Sequence, residues 1–234
     1  MYKAIFFDAG STLIDAKLTR EERFLYAAQE QGLHVDPAAV AALHQQLWQK
    51  HFSSKGLQDM NEAEADATWR RFYQDLLAGL ALADPGGTLA ARLAVDCDWL
   101  PWMYVHAEVP AVLAQLQRDF KLGLLSNAPP ALRGLMQRLG LAGYFQQMTI
   151  SGEVGVRKPN QGIYRIALDS LGVEAEGALF VDDIEENLVA ARQMGMDGLL
   201  IDYKNAVTCS EFPRITDLNG VLDVLSHTGQ DHGH

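Results

Sequence analysis

Residues 2–15, YKAIFFDAGSTLID, decide the fold, because an apolar and aromatic run changes character abruptly at Asp8. The run shows no alternation, which is typical of a strand buried on both faces, as in a parallel sheet covered by helices. We therefore expect Asp8 at the carboxyl end of a central strand, the edge where open α/β sheets bind ligands. Taken alone, the stretch leaves a plain turn aspartate equally open, since Asp is common after strands.

Three later segments carry polar side chains at or near the end of an apolar run. They are residues 120–129 (FKLGLLSNAP), 149–164 (TISGEVGVRKPNQGIY) and 177–187 (GALFVDDIEEN), with the side chains of Ser126, Asn127, Lys158, Asp182 and Asp183. If the runs are neighbouring parallel strands, one sheet edge gathers a carboxylate, a hydroxyl with an amide, a lysine and an acidic pair. Such a set suits a site that holds a metal cation together with a phosphate.

The sequence resembles the haloacid dehalogenase-like (HAD) hydrolase superfamily, and in particular its phosphatase-like members with a helical cap. The motifs occur in order: residues 8–13 for D-x-D-G-T-L, 125–127 for the hydroxyl motif, Lys158-Pro159, and 181–187 for the acidic motif. The most specific match is to S-x-E-x-G-x-x-K-P-x-x-x-I-Y, met by Ser151, Glu153, Gly155, Lys158, Pro159, Ile163 and Tyr164. The resemblance covers nearly the whole chain up to about Asp202.

The resemblance implies a Mg²⁺-dependent phosphatase in which Asp8 attacks a small phosphomonoester and forms an aspartyl-phosphate. It implies that Mg²⁺ binds the carboxylates of Asp8 and Asp183 and the backbone carbonyl of Gly10. Asp182 would be a further ligand or a neighbour of one. The other implied roles are phosphate binding by Ser11, the Ser126 hydroxyl and the Asn127 backbone N–H, charge compensation by Lys158, and orientation of the site by Asn187.

Gly10 departs from the family pattern, since these phosphatases usually carry there a second aspartate that protonates the leaving group and then activates water. General acid–base catalysis is typically worth about 10²- to 10⁴-fold, so its absence should be costly for poor leaving groups. Ser11 stands where glycine is usual, which bears on the local backbone conformation. Asp15 is a weak substitute for the missing acid and is more readily interpreted as a hinge residue at the cap.

Two other functions remain open. The 2-haloacid dehalogenases of the superfamily also lack the second aspartate, and halide leaves without a proton, so Gly10 fits that chemistry. Those enzymes work without metal, whereas the Asp182–Asp183 pair favours a metal site. The third alternative is a protein that keeps the fold and binds phosphate or a partner with poor turnover.

The predicted fold class is α/β, with a doubly wound, Rossmann-like parallel sheet as the core and an inserted all-helical cap. Four helix-like segments with no β-like run precede residue 100, far more than a crossover requires. We predict a discontinuous core of residues 1–14 and 101–226, a cap of residues 15–100, and a flexible tail at 227–234, where three histidines favour a frayed end over a metal site. Residues 198–202 (GLLID) are predicted as the last strand.

Cap side chains that could either line the cleft or fill the cap interior are Arg23, Trp48, Trp69 and Arg70. For the two tryptophans, helical spacing favours packing in the interior. The sequence identifies neither the phosphorylated metabolite nor the oligomeric state.

Composition excludes some classes of partner. The chain has 234 residues and a formal net charge of -11, which argues against nucleic acid or an anionic membrane as the main partner. No apolar stretch approaches the roughly 20 residues of a membrane span, and the N-terminal run is too short for a signal peptide. Cys97 and Cys209 match no metal-site spacing, so we interpret both as structural in a reduced compartment and expect a cytoplasmic protein.

Overall fold

A computed structural model of the chain describes residues 2–52, 60 and 62–228. The chain forms two compact units, the first made of Met1–Asp15 and Tyr104–His234 and the second of Ala16–Met103. We propose that the second unit is the expected cap. Residues 229–234, which include two of the three tail histidines, lie outside the described residues, so the predicted tail stays a prediction.

The first unit contains a six-stranded parallel sheet. Its strands are β1 (Ala4–Phe7), β4 (Lys121–Ser126), β5 (Gln147–Ile150), β6 (Ala178–Asp182), β7 (Asp197–Ile201) and β8 (Arg214–Ile215). They lie in the order β5-β4-β1-β6-β7-β8, so the chain fills one side of β1 and then the other. This order confirms the predicted doubly wound α/β fold, in which ligands bind beyond the carboxyl ends of the strands at the switch in order.

Strand β1 occupies the centre of the sheet, as its uninterrupted apolar sequence predicts. All four of its residues are fully buried. On the neighbouring strand β4, Gly123 pairs with Phe6, and a Cβ added to that glycine would lie 2.5 Å from the Phe6 ring. Any larger residue at position 123 would therefore displace Phe6 from the core.

Ten helices accompany the strands within the described residues. The second unit contains α1 (Arg20–Glu30), α2 (Pro37–Phe52), α3 (Glu62–Gly79) and α4 (Thr88–Asp96). The first contains α5 (Val109–Leu116), α6 (Ala131–Arg138), α7 (Ser151–Val154), α8 (Gln161–Leu171), α9 (Glu185–Gln193) and α10 (Asn219–Thr228). Helices α8 and α9 pack on the sheet face that carries Phe6 and Phe180, where they bury one hydrophobic core cluster of this unit.

The second unit is built around aromatic side chains. The centre of the Phe52 ring lies 4.4 Å from that of Trp48 and 4.8 Å from that of Trp69, and both tryptophans are partly buried and pack against the interior cluster, in agreement with their spacing. Arg23 is buried and donates to two backbone carbonyl oxygens of the same unit, whereas Arg70 is exposed and pairs with a carboxylate one helical turn earlier. Arg23 is therefore part of the packing of this unit, and Arg70 is not.

Several short elements differ from the sequence prediction. A two-stranded sheet pairs β2 (Ile14–Ala16) with β3 (Met103–Val105), and both strands are too short to show alternation. The prediction that residues 198–202 form the last strand is wrong, because β8 pairs with β7 and α10 follows. Cys97 is buried, as a structural cysteine would be, but Cys209 is exposed. No helix among the described residues is long and apolar enough to cross a bilayer.

Candidate active site

A buried lysine joins the ends of the two central strands. The backbone N–H of Asp8 donates to the Val181 carbonyl oxygen, so the residues that end β1 and β6 lie side by side. Between them, Lys158 Nζ donates to Asp8 Oδ1 at 2.7 Å and to Asp182 Oδ2 at 2.6 Å. Burial alone would lower the pKa of Lys158, but the two carboxylates outweigh it and raise the pKa, so the ammonium group stays charged.

Both carboxylate oxygens of Asp182 are occupied by donors. Asn187 Nδ2 lies 3.0 Å from each oxygen, and the backbone N–H of Ile184 donates to Oδ1 at 2.8 Å. Burial raises the pKa of Asp182 to about 6, while Lys158 and Asn187 oppose the rise. The geometry thus gives Asn187 the orienting contact that the sequence suggested, and it makes Asp182 the second anchor of Lys158.

Asp183 has a different environment from its neighbour. Burial raises the pKa of its carboxyl group to about 7, and the charges of Asp8 and Asp182 add to the rise. Three carboxylates are therefore close enough to repel one another, and Lys158 supplies one positive charge against them. When all three are ionised, the site carries an excess of two negative charges, which a divalent cation would balance.

The loop after β1 turns tightly around Ala9. The backbone N–H groups of Leu13 and Ile14 donate to the Ala9 carbonyl oxygen at 2.9 and 3.0 Å, and Ser11 N donates to the Ile14 carbonyl oxygen at 2.8 Å. Ser11 has a φ of 54°, the left-handed conformation that favours glycine. At Gly10 an added Cβ would meet nothing within 4 Å, so the loop would accept a side chain there.

Ser126 and Asn127 follow β4, the strand next to β1. The Ser126 side chain is buried at the strand end. The Asn127 side chain forms a pair of hydrogen bonds with the backbone of Lys158, donating to its carbonyl oxygen at 2.9 Å and accepting from its N–H at 2.8 Å. The sequence predicted a role only for the backbone of Asn127, because nothing in it shows that this amide meets residue 158.

The long motif around Lys158 holds the surrounding chain in place. Ser151 Oγ accepts from the backbone N–H of Ala128 at 3.1 Å, which fixes the chain after β4. Glu153 forms a two-pronged ion pair with Arg133 of α6, at 2.8 and 2.7 Å. The Tyr164 hydroxyl donates to the Asn187 carbonyl oxygen at 2.9 Å. The spacing of these residues therefore serves the positions of Lys158 and Asn187.

The donor set fits Mg²⁺ better than a transition metal. Among the described residues, no three His, Cys, Asp or Glu side chains form a group that could hold a metal ion by themselves. Mg²⁺ commonly takes one or two carboxylates and completes its octahedron with waters and phosphate oxygens. Asp8 and Asp183 are carboxylates of this kind, and the negative excess matches the charge of the ion.

A separate cleft of about 310 Å³ lies at the other ends of the strands. It is lined by Tyr2, Leu179, Arg192, Met196, Asp197, Gly198, Leu199, Glu211, Phe212, Pro213 and Val224. Arg192 forms an ion pair with Glu211 at 2.7 Å, and its guanidinium group lies over the Phe212 ring. None of the predicted site residues lines this cleft, so it is distinct from the candidate active site.

The chain belongs to the haloacid dehalogenase-like hydrolase family, and it is accordingly a hydrolase. The family model of that description matches residues 2–195. The chain is 31% identical over 204 residues to a glyceraldehyde 3-phosphate phosphatase of Methanopyrus kandleri, covering 84% of this chain and 82% of the relative. It is 34% identical over 213 residues to a phosphoglycolate phosphatase of Yersinia pseudotuberculosis, covering 86% and 81%.

Solved structures agree with the fold. A 2-haloacid dehalogenase from Pseudomonas syringae pv. Tomato superimposes with a TM-score of 0.67 at 23% identity, covering 97% of this chain and 100% of that one. At this level of identity the likeness supports the architecture alone. The catalysed reaction is inferred from the site.

Proposed function

We propose that this hydrolase is a Mg²⁺-dependent phosphatase of a small phosphomonoester, with Asp8 as the nucleophile. The contact that carries the proposal is Lys158 Nζ, buried between Asp8 and Asp182 beside a third carboxylate. Two relatives above 30% identity, named for glyceraldehyde 3-phosphate and phosphoglycolate, support a small phosphorylated metabolite as substrate. The free cysteines and the net charge of -11 support a cytoplasmic protein that binds neither nucleic acid nor membrane.

Asp8 attacks phosphorus through its carboxylate, the P–O bond to the leaving group breaks, and an aspartyl-phosphate forms. Water then attacks that phosphorus, the bond to Asp8 breaks, and inorganic phosphate leaves. Lys158 offsets the charge of Asp8 and of the phosphoryl oxygens throughout. The hydroxyl groups of Ser11 and Ser126 and the backbone N–H of Asn127 hold the phosphate.

Bound Mg²⁺ would supply charge neutralisation at the transferring phosphoryl group. The residues that would hold it are Asp8, Gly10 through its carbonyl oxygen, and Asp183. Asp182 is better suited to support Lys158, because Lys158, Asn187 and the Ile184 N–H already occupy both of its carboxylate oxygens.

With glycine at position 10, the reaction rate should depend strongly on the leaving group of the substrate. No side chain at this position can protonate the departing oxygen, so substrates whose oxygen leaves readily as an anion should react faster. We therefore expect activated aryl phosphates to be cleaved far better than alkyl phosphates.

Gly10 also favours a second candidate, a 2-haloacid dehalogenase, because halide leaves without a proton. The three neighbouring carboxylates, with Lys158 as their one cationic partner in the described part of the chain, argue against it, since such a cluster is of no evident use to a reaction that needs no cation. Magnesium dependence and the released ion separate the two candidates.

A screen of phosphorylated metabolites with and without Mg²⁺ tests the proposal, alongside 2-chloropropionate with chloride detection. We expect phosphate release that requires Mg²⁺ and that disappears in Asp8→Asn. Chloride release without Mg²⁺ would establish the dehalogenase instead. Equal rates for Asp8→Asn and the parent chain would leave a phosphate-binding or partner-binding protein as the remaining interpretation.

A further inference from the structure

Two stacked rings contact the loop that follows β1. The rings of His106 and Tyr203 lie 3.9 Å apart with an angle of 10° between their planes. The backbone N–H of His106 donates to the Leu13 carbonyl oxygen at 3.2 Å, and the Tyr203 hydroxyl lies 3.3 Å from the Thr12 carbonyl oxygen. The stacked pair therefore contacts the carbonyl groups of two successive loop residues, Thr12 and Leu13.

A carboxylate fixes the hydroxyl group of this pair. Tyr203 Oη donates to Glu108 Oε1 at 2.7 Å, and the same hydroxyl makes the longer contact with the Thr12 carbonyl oxygen. Glu108 directly precedes α5, and its Oε1 also lies 3.5 Å from the backbone N–H of Leu218. Burial raises the pKa of the Tyr203 hydroxyl, and the neighbouring Glu108 raises that pKa further. The hydroxyl therefore stays protonated and can donate a hydrogen bond.

The contacted loop lies directly beside the candidate nucleophile. Residues 9–14 are joined internally by three hydrogen bonds between backbone groups, with Ser11 in the left-handed conformation. The same loop carries the carbonyl group of Gly10 and directly follows Asp8. A displacement of about 1 Å at reacting groups can cost about 10²-fold in rate, so the position of this loop matters to the chemistry.

We propose that His106 and Tyr203 form a brace for the nucleophile loop and that Tyr203 is a positioning residue for Asp8. Tyr203 acts through Thr12 and touches neither substrate nor Asp8 itself. The catalytic half of this inference rests on the proposed phosphatase function, whereas the brace itself is a property of the loop.

Tyr203→Phe tests the inference, because it removes the hydroxyl and keeps the stacked ring. Tyr2→Phe is the matched control: the Tyr2 hydroxyl also lies 2.7 Å from a carboxylate, that of Asp197, at the other end of the sheet. Two readouts are needed: the rate on p-nitrophenyl phosphate with Mg²⁺, and hydrogen–deuterium exchange of the peptide covering residues 9–14.

For Tyr203→Phe we expect kcat to fall about tenfold with KM within about twofold, and the loop peptide to exchange faster than in the parent. Tyr2→Phe should change neither. Equal kcat and equal exchange in the two variants would overturn the inference even if the parent is an active phosphatase. Faster loop exchange in Tyr203→Phe, with a parent that is inactive on p-nitrophenyl phosphate and throughout the metabolite screen, would establish the brace and refute the phosphatase proposal together with the catalytic half.

Discussion

The ammonium group of Lys158 lies 2.7 Å from the carboxylate of Asp8, although 150 positions separate the two residues. The contact forms because the chain enters β1 first and returns to the same sheet edge only after β4 and β5. It leaves a charged pair with little solvent around it, where electrostatic interactions are strong.

Lys158→Met should cost both activity and stability. Removing one partner of a buried ion pair leaves the other charge uncompensated, which lowers the free energy of unfolding by about 3–5 kcal/mol. Losing a charge-stabilising donor should lower kcat/KM by about 10²- to 10³-fold. Steady-state kinetics and urea unfolding measure the two effects. Lys121→Met is the control, because exposed Lys121 donates to a backbone carbonyl; equal losses in both variants would contradict the assigned role.

Gly10→Asp should improve the cleavage of alkyl phosphates. The structure has space for the new side chain, since a Cβ at Gly10 meets nothing within 4 Å. A general acid at this position should raise alkyl-phosphate turnover by up to about 10²-fold and change aryl-phosphate turnover less. Gly10→Asn adds similar bulk without the acid and should give no gain. An unchanged ratio of aryl to alkyl rates in the aspartate variant would refute this explanation.

Ser11→Gly should stabilise the fold. Ser11 has a φ of 54°, a conformation that costs non-glycine residues roughly 1–2 kcal/mol. Glycine also makes the unfolded chain more flexible, which lowers the free energy of unfolding by roughly 0.5–1 kcal/mol and offsets part of that gain. We expect a net gain of about 0.5 kcal/mol in urea unfolding. Ala81→Gly, at a φ of 57° in the second unit, should behave alike; a loss at Ser11 alone would mean that its side chain is needed for folding.

The two cysteines should differ sharply in reactivity. Burial raises the pKa of the Cys97 thiol to about 11, so almost none is thiolate at pH 8. Cys209 is exposed. Iodoacetamide at pH 8 should add one label to the folded chain, at Cys209, and two labels in guanidinium, as measured by mass spectrometry of peptides. Rapid labelling of Cys97 in the folded protein would contradict its buried position.

His44 should make the second unit sensitive to acid. Burial lowers the pKa of His44, opposed by Glu21 at 3.1 Å from its Nδ1 and assisted by Arg20 and Arg23. Because the folded pKa lies below the unfolded value of about 6.5, the contribution of neutral His44 is complete above that pH and is lost as the pH falls through the folded pKa.

The urea midpoint should therefore fall more between pH 7.5 and pH 5 in the parent than in His44→Leu. Identical pH profiles for the two proteins would show that another group dominates acid unfolding.

Local patterns were sufficient to predict most of the secondary structure. The apolar runs that became β1, β4 and β6 are fully or almost fully buried, so their hydrophobic signal is strong. Strands β2, β3 and β8 have two or three residues each, and such lengths carry no periodicity. Their existence depends on pairing with distant chain, which no local window contains.

The sequence predicted which residues form the candidate site, but it could not predict the contacts between them. Its motifs named Asp8, Ser126 and Lys158 in chain order. The resemblance implied Asp183 as a metal ligand and left Asp182 open as a further ligand or a neighbour of one, because it gave no contacts for either carboxylate. In the structure Asp182 is hydrogen-bonded on both oxygens, and Asp183 is the one with the more strongly raised pKa.

The sequence by itself determined the family, the central parallel strand and the place of Asp8 directly after that strand, because these follow from hydrophobic runs and from residue types at fixed spacing. The tertiary structure alone decided which carboxylate anchors Lys158, that Asn127 binds its backbone, and that Tyr203 reaches Thr12 across 191 positions. Hydrogen bonds depend on distances of about 3 Å between atoms, and only the packed chain sets those distances.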